Sequence, residues 1–96
     1  MSDKVPAKYR SKCRIFADIL RAIKDSEQGR VTHLLHKANL SYDRLNYYLG
    51  ELERSGLINK SADQERFIYS ITAKGEKFLV EFAKVEAFGN TFGVEI

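Results

Sequence analysis

The clearest periodic pattern in the chain is a stripe of leucines near its middle. Leu45, Leu49 and Leu52 recur at i, i+4 and i+7, which places them on one side of a helix. Ser41 precedes the stripe and is suited to cap the helix, because its hydroxyl can accept a hydrogen bond from a free N–H of the first turn. Gly56 follows the stripe, where a left-handed residue commonly terminates a helix. The pattern therefore predicts a helix between these two residues.

A wider apolar face predicts a largely buried helix earlier in the chain. The apolar positions of residues 12–25 fall on one broad arc, as expected for the central element of a small core. A shorter helix is expected over residues 33–38, with Thr32 as its cap and Val31 as a short bridge to a later sheet. The turn from this helix to residues 41–55 has the length found in a helix-turn-helix.

The second half of the chain predicts a hairpin followed by a last helix. Residues 57–60 and 66–71 have the composition and alternation of strands, and a polar loop joins them. Thr72 can cap a helix over residues 73–88, which Gly89-Asn90 is expected to end, leaving an apolar tail.

The order helix, helix, helix, hairpin, helix predicts a fold class. We expect a mostly α-helical chain with a small β-hairpin (α+β), a winged helix-turn-helix with an added C-terminal helix. The expected organisation is a basic flexible arm (1–11), a winged helix-turn-helix domain (12–72), and a C-terminal dimerisation helix and tail (73–96).

Five stretches within residues 14–82 carry a family resemblance. They are Ile15-Phe16-Ala17-Asp18-Ile19-Leu20, Ala38-Asn39-Leu40-Ser41-Tyr42-Asp43-Arg44-Leu45, Tyr48-Leu49, Ser55-Gly56-Leu57-Ile58, and Tyr69-Ser70-Ile71-Thr72-Ala73-Lys74-Gly75-Glu76-Lys77-Phe78-Leu79. In this order they resemble the archaeal winged helix-turn-helix DNA-binding family of small Sulfolobus chromatin-associated and regulatory proteins. The resemblance implies DNA binding through the third helix and through the predicted hairpin, which is called the wing. It also implies a homodimer formed by the last helix. The acidic wing loop and the short last helix depart from the family pattern.

The side of the third helix opposite the leucines is suited to nucleic acid. Arg44 can bind guanine bidentately or contact a phosphate, Asn46 can pair with adenine, and Tyr47 offers a hydroxyl and a ring. Asp43 either interacts favourably with the positive N-terminal end of the helix or selects cytosine as a base. The alternative is a solvated surface, with Tyr42 packed on the second helix. The predicted DNA contacts are Ser41, Tyr42, Arg44, Asn46, Tyr47, His33, Lys37, Lys60, Arg66, Lys8 and Arg10.

Charge is concentrated at the beginning of the chain. Residues 1–24 hold seven Lys and Arg against two Asp, whereas the 96-residue chain has a net charge of only +3. This excess suits an arm that contacts a polyanion, and a solvated tail is the alternative. The wing loop, residues 61–65, is acidic, so Lys60 and Arg66 at its base are the phosphate contacts expected there.

The last helix is more apolar than one buried face requires. An exposed patch of this kind commonly marks an interface, so a homodimer is expected. The predicted dimerisation residues are Phe78, Leu79, Phe82, Val85 and Phe88. The alternative is that the apolar tail folds back and covers the patch.

Other classes of function find little support in the sequence. His33, His36 and Cys13 lack the further ligands that a metal site needs, and Cys13 is expected to be buried. We expect no cofactor, small-molecule ligand, membrane span or enzymatic activity, since no catalytic motif, phosphate loop or long apolar run is present. A single cysteine favours a reducing compartment, so a cytoplasmic, nucleoid-associated protein is expected.

The leading hypothesis is a homodimeric protein that binds double-stranded DNA with helix 41–55 in the major groove, as a transcriptional regulator or chromatin-associated protein. A winged-helix protein–protein interaction module is the alternative, favoured by Asp43 and the acidic loop. A third possibility is RNA binding.

Overall fold

Four helices and one antiparallel hairpin make up the described chain, which confirms the predicted winged helix-turn-helix fold. The computed structural model describes residues 10–26 and 29–96. The elements in order are α1 (Lys12–Asp25), α2 (Val31–Ala38), α3 (Tyr42–Arg54), β1 (Ile58–Asp63), β2 (Arg66–Ile71) and α4 (Ala73–Phe92).

Helix α1 lies at the centre of the core, as its wide apolar arc predicts. The Ser11 hydroxyl caps it by accepting a hydrogen bond from the Arg14 N–H at 3.1 Å. Ile15, Ile19 and Leu20 are at most 1% exposed. The helix packs against α2, α4 and β2, so it supports both the helix-turn-helix and the last helix.

Helix α2 begins earlier than predicted, and neither Thr32 nor Val31 has its expected role. Val31 is the first helical residue, and Arg30 is the N-cap without a side-chain hydrogen bond. The bridge to the hairpin is made instead by Gly29, whose carbonyl accepts from the Tyr69 N–H at 3.2 Å. Gly29 has a φ of +56°, and a Cβ there would lie 1.9 Å from the Tyr69 carbonyl oxygen, so only glycine fits.

Helix α3 begins and ends where the sequence predicts. Asn39 adopts a left-handed φ of 54° in the turn after α2. The Ser41 hydroxyl then accepts from the Arg44 N–H at 3.3 Å and caps α3. The leucine stripe, Leu45, Leu49 and Leu52, is buried against the core. This packing fixes which side of α3 faces outward.

The hairpin is longer, and its loop shorter, than predicted. The strands pair from Ile58 opposite Ile71 to Asp63 opposite Arg66. Only a two-residue turn separates the strands, and its first residue, Gln64, has a φ of +59°. The polar composition of residues 61–65 suggested a loop, but most of that stretch is exposed strand, which can be polar because it buries neither face.

Helix α4 continues to Phe92 rather than ending before Gly89. The Thr72 hydroxyl caps it as predicted, accepting from the Gly75 N–H at 3.1 Å. Gly89 is a buried helical residue, and a Cβ there would lie 2.4 Å from the Val94 carbonyl oxygen. Its carbonyl accepts from the Val94 N–H at 2.7 Å. The glycine therefore admits the returning tail instead of ending the helix.

The predicted dimerisation residues divide between the core and the surface. Leu79 and Phe82 are buried, and Phe78 packs partly buried against the same core, so these three stabilise the chain's own fold. Their assignment to a free interface is corrected accordingly. Val85 is 44% exposed and Phe88 61% exposed.

The tail folds back, but it does not cover the exposed side of α4. Ile96 packs against the core, whereas Phe92 is 66% exposed and its ring lies 4.9 Å from that of Phe88. We call Val85, Phe88 and Phe92, which follow at i, i+3 and i+7, the α4 apolar stripe.

Candidate nucleic-acid interface

The outward side of α3 presents three strips of side chains. Successive residues of a helix are rotated by about 100°, so neighbours in the chain fall on different strips. The outermost strip contains Asp43, Tyr47, Gly50 and Arg54. Tyr47 is 61% exposed. The Arg54 guanidinium lies over Gly50, where a Cβ would come within 3.3 Å of it. The glycine thus leaves room for an arginine to lie along the helix surface.

The strip nearest α1 holds Arg44 against an aromatic support. The Arg44 guanidinium lies 6.0 Å from the centroid of the Tyr48 ring, a cation–π distance. Tyr48 in turn meets Phe16 of α1 edge-on, with centroids 6.2 Å apart. Tyr47 meets Tyr48 in the same manner at 5.2 Å. Arg44 and Tyr47 are thus supported through Tyr48, which packs partly buried against the core.

Below this strip, Glu51 links α3 to the beginning of α1. The Lys12 Nζ lies 2.5 Å from Glu51 Oε2. The hydrogen bond to Lys12 is the main cause that holds the pKa of Glu51 below its ordinary value. This carboxylate is already engaged by a cation of the protein, so it contributes less repulsion to an approaching anion.

The strip on the opposite side of α3 faces the hairpin. Tyr42, Asn46 and Glu53 follow at i, i+4 and i+11. Burial raises the pKa of the Tyr69 phenol, and the nearby Glu53 carboxylate and Tyr42 raise it further. Strand β1 packs against α3, which brings the hairpin next to this helix. Tyr42 is 57% exposed, so more than half of its surface is open to a partner.

The other predicted contacts, on α2 and the hairpin, are exposed. His33 and Lys37 are exposed on α2. Lys60 is exposed and its Nζ lies 4.0 Å from the centroid of the Phe67 ring. Arg66 is exposed opposite Asp63 at the end of the hairpin.

Arg10 is a structural residue rather than a free cation of the arm. Its side chain is 3% exposed, and the Nη1 atom lies 2.6 Å from Asp18 Oδ2. The guanidinium also donates to the carbonyl oxygens of Ala38 and Asn39, each at 2.9 Å. These carbonyls belong to the turn between α2 and α3, so Arg10 fastens the beginning of the chain to the helix-turn-helix. Lys8 lies outside the described residues.

The remaining cations of residues 10–24 are also paired, which corrects the view of a free basic segment. Arg14 and Arg21 both bind Glu86 of α4, Arg21 at 2.5 Å, and Lys24 lies 3.0 Å from Glu76. Burial opposes ionisation of Glu86, but the hydrogen bond and charge of Arg21, with those of Arg14, outweigh it and lower the pKa of Glu86. No local pattern identifies Glu86 as a partner of these arginines, because they lie 65 and 72 residues away in the chain.

In contrast, no cation of α3 or the hairpin forms an ion pair with a residue of the described ranges. This holds for Arg44, Arg54, Lys60 and Arg66. Arg44 and Arg54 are therefore free of ion pairs within the described ranges, on a helix whose exposed acidic residues are Asp43 and Glu53.

Three further findings concern sites of other kinds. Cys13 is exposed, not buried as expected, because it lies on the outer side of α1 beside Lys12. Within the ranges that the structure describes, no group of three potential metal ligands lies together. In the same ranges, no helix has both the length and the apolarity needed to cross a membrane.

A helix-turn-helix with its second helix exposed, followed by a hairpin, defines the winged-helix class. A sequence model of the winged helix-turn-helix family matches residues 9–89, and the chain belongs to that family. This confirms the family resemblance found in the sequence.

Solved structures support the same conclusion. Sso10a-2, a DNA-binding protein from Sulfolobus solfataricus, is similar with a TM-score of 0.78 and 26% identity over 88% of this chain and 87% of that one. BpsR from Bordetella bronchiseptica has a TM-score of 0.71 at 13% identity, covering 91% of this chain and 64% of its own. The transcriptional regulator BldR from Sulfolobus solfataricus has a TM-score of 0.64 at 21% identity, covering 79% and 60%. The last two show the fold alone. Comparison with curated protein sequences gives no match.

Proposed function

We propose that this winged-helix protein binds double-stranded DNA with α3 in the major groove. The observation that carries the proposal is the two-sided character of α3. Its leucines are buried, and its outward strips expose Arg44, Asn46 and Tyr47. Arginine and asparagine can each read a base edge through two hydrogen bonds, and tyrosine can contact a phosphate or a thymine methyl.

The structural relatives favour DNA over other polyanions. Sso10a-2, which shares nearly the whole length of this chain, is a DNA-binding protein. BldR is a transcriptional regulator. We accordingly propose a role in transcription or chromatin organisation, which would place the protein on the nucleoid. His33, Lys37 and Ser41 flank α3 and would contact the sugar–phosphate backbone, as half or more of protein–DNA hydrogen bonds do.

The basic segment before Arg10 would add phosphate contacts. Arg10 is fastened to the turn directly before α3, and Lys4 and Lys8 precede it in the sequence. Each phosphate that such a lysine neutralises steepens the salt dependence of binding.

We also propose that two copies pair through the α4 apolar stripe. Its three side chains remain exposed although the tail folds back beside them. A two-fold pair would bury the stripe and set two α3 helices on one face of a duplex.

Sedimentation velocity tests the pairing. The Phe88→Glu, Phe92→Glu double variant should sediment as a monomer where the natural chain sediments as a dimer, because two carboxylates would be buried in the contact. A Lys84→Glu variant, changed on an exposed position of the same helix, should remain a dimer. A monomeric natural chain, or a dimeric double variant, would contradict the stripe as the interface.

Fluorescence anisotropy with a labelled mixed-sequence duplex tests the DNA proposal. At low salt the natural chain should bind at micromolar concentration or below, as non-specific binding by such proteins does. The Arg44→Ala, Tyr47→Ala double variant should lose most of that affinity while unfolding at the same temperature. Equal binding by both proteins would refute the placement of α3.

A protein–protein interaction module remains the second candidate, and a specific observation favours it. Asp43 is exposed on the outermost strip of α3, and Asp63 and Glu65 lie at the end of the hairpin. Failure of the natural chain to bind duplex at micromolar concentration and low salt would favour this candidate over DNA.

A further inference from the structure

Glu51 occupies a partly buried position between α3 and the beginning of α1. Its side chain is 18% exposed, and its Oε2 atom lies 2.5 Å from the Lys12 Nζ. The other carboxylate oxygen, Oε1, is buried and has no hydrogen-bond partner within residues 10–26 and 29–96. A buried acceptor without a donor is costly, so a group that can supply a proton is expected beside it.

Tyr47 is the side chain that can supply this proton. It precedes Glu51 by four residues on α3, so the two side chains are neighbours on the helix surface. The hydrogen bond from Lys12 is the largest cause of the lowered pKa of Glu51, and the Tyr47 hydroxyl also lowers it, against the effect of burial. The hydroxyl is therefore close to the carboxylate, and rotation of the O–H bond can direct its proton at Oε1.

Aromatic contacts hold the Tyr47 ring in place on one side. The Tyr48 ring meets it edge-on with centroids 5.2 Å apart, and Tyr48 itself packs against Phe16 of α1. The Lys12 Nζ, which binds Glu51, also lies 5.8 Å from the centroid of the Phe16 ring. Tyr47 is nevertheless 61% exposed, so a supported phenol remains open to a partner.

The chemistry of a phenol limits what Tyr47 can then bind. A phenol has one proton to donate, and its oxygen can also accept a hydrogen bond. When the proton is committed to Glu51, the oxygen can only accept. Phosphate oxygens are acceptors too and cannot pair with it. In the major groove, the amino groups of adenine and cytosine are donors, whereas guanine and thymine present acceptors.

We propose that Glu51 is a positioning residue that makes Tyr47 a reader of bases: the Tyr47 hydroxyl donates to Glu51 Oε1, and its oxygen accepts from the amino group of an adenine or a cytosine. The inference rests on the proposed function, since it requires α3 in the major groove. It also narrows the role of Tyr47, because a hydroxyl whose proton is committed does not bind a phosphate. Lys12 completes the arrangement by occupying Oε2 and leaving Oε1 to Tyr47.

Carboxyl ¹³C NMR of the free chain tests the first hydrogen bond without DNA. Tyr47→Phe removes only the hydroxyl, so the pKa of Glu51 should rise toward its ordinary value of 4.5. Tyr48→Phe, the matched control, removes the hydroxyl of the neighbouring ring and should leave the pKa of Glu51 unchanged. An unchanged pKa in Tyr47→Phe, or an equal rise in both variants, would overturn the positioning role.

Selection of bound duplexes from a random pool tests the contact with a base. The natural chain should enrich adenine or cytosine over guanine and thymine at one position of the site, and Tyr47→Phe should lose that preference alone. Glu51→Met keeps the length of the side chain without its acceptor and should lose the same preference. Glu53→Met makes the same replacement at an exposed carboxylate of α3 and should retain it.

Fluorescence anisotropy with the selected duplex measures the size of the contact. Tyr47→Phe should raise Kd about fivefold, as expected for the loss of one hydrogen bond. In the Tyr47→Phe background, Glu51→Met should change Kd no more than Glu53→Met does, because Glu51 acts through the missing hydroxyl. Additive losses from Tyr47→Phe and Glu51→Met would show that the two residues act independently. All variants should first be shown to unfold near the temperature of the natural chain.

The proposed function and this inference can fail separately. If the natural chain binds duplex DNA but enriches no base, or if the enrichment survives in Tyr47→Phe or Glu51→Met, the inference fails while DNA binding by α3 stands. If the natural chain binds no duplex, the base contact fails together with the proposed function.

Discussion

Helices α1 and α3 both carry basic residues on their polar sides, and the environments of these cations differ. The beginning of the chain has the larger excess of positive charge. From Arg10 to Lys24, each of its cations meets a carboxylate, including Glu51 on α3 and Glu76 and Glu86 on α4. Arg44 and Arg54 of α3 form no such pair with any residue in the described ranges. The cations of α1 therefore hold the fold together, and those of α3 stay available to a partner.

This difference shows why net charge alone does not locate a binding surface. A paired cation has already given up part of its hydration and interacts with its carboxylate, so a phosphate would have to compete with that carboxylate. An exposed, unpaired arginine keeps its full capacity for charge-assisted hydrogen bonds. The following predictions test the contrast, beginning with the largest expected effect.

Removing the Arg10 side chain should have the largest effect, and that effect should be on stability. Arg10→Ala leaves the Asp18 carboxylate and two turn carbonyls without their donor, so the free energy of unfolding should fall by about 3 kcal/mol. Urea denaturation measures the loss. Lys12→Ala, which removes an exposed cation, should lower the free energy of unfolding much less than Arg10→Ala does. If the two variants were equally stable, Arg10 would not be a structural residue.

Equal changes of charge on the two helices should affect DNA binding unequally. Arg44→Ala should weaken binding by about 1–3 kcal/mol, because it deletes a direct contact. Lys24→Ala removes the same charge from α1, where Glu76 already neutralises it, and should change Kd less than about twofold. Anisotropy titrations at one salt concentration compare them. A similar loss in both variants would mean that only the total charge matters.

Glu86→Gln should weaken the attachment of α4 to α1 in a pH-dependent way. The native pKa of Glu86 is lowered from its ordinary value of 4.5, so its ionised form stabilises the fold above that pH and the benefit is lost as pH falls through the native pKa. At neutral pH the variant should lose about 1 kcal/mol, since the site is only partly buried. Thermal unfolding at neutral and strongly acidic pH should show the gap between variant and natural chain closing on acidification. A gap that is constant with pH would contradict this role of the carboxylate.

The smallest effect is expected at Asp43. Asp43→Asn removes the one carboxylate from the outermost strip of α3 and keeps the size of the side chain, so Kd for duplex DNA should fall a few-fold, about 0.5–1 kcal/mol. The corresponding change Glu95→Gln, at an exposed position of the tail, should leave Kd unaffected. Weaker binding by Asp43→Asn would indicate that Asp43 accepts a hydrogen bond from cytosine.

Local patterns predicted most of the fold because most of its signals are local. The caps at Ser41 and Thr72 and the leucine stripe of α3 each depend on residues within a few positions, so the sequence displays them directly. The prediction that α4 ends at Gly89 was wrong for a physical reason. A glycine near the end of an apolar helix commonly terminates it, but here the glycine is required by the tail that returns over it.

The candidate site could be predicted only in part. The outward residues of α3 follow from helical geometry once the leucines are known to be buried. The pairing of Arg14 and Arg21 with Glu86, and of Arg10 with the turn before α3, joins residues distant in the chain, which no local pattern reveals. The exposure of Phe67 could not be predicted, because alternation alone does not tell which part of an apolar strand face the core covers.

The most direct test of the contrast between α1 and α3 is an NMR titration of the uniformly ¹⁵N-labelled chain with duplex DNA. Amide shifts should change most in residues 41–48, with further changes at Lys60, while the outer side of α1 from Lys12 to Lys24 should change little. The largest changes on α1 or α4, with α3 unaffected, would contradict the account.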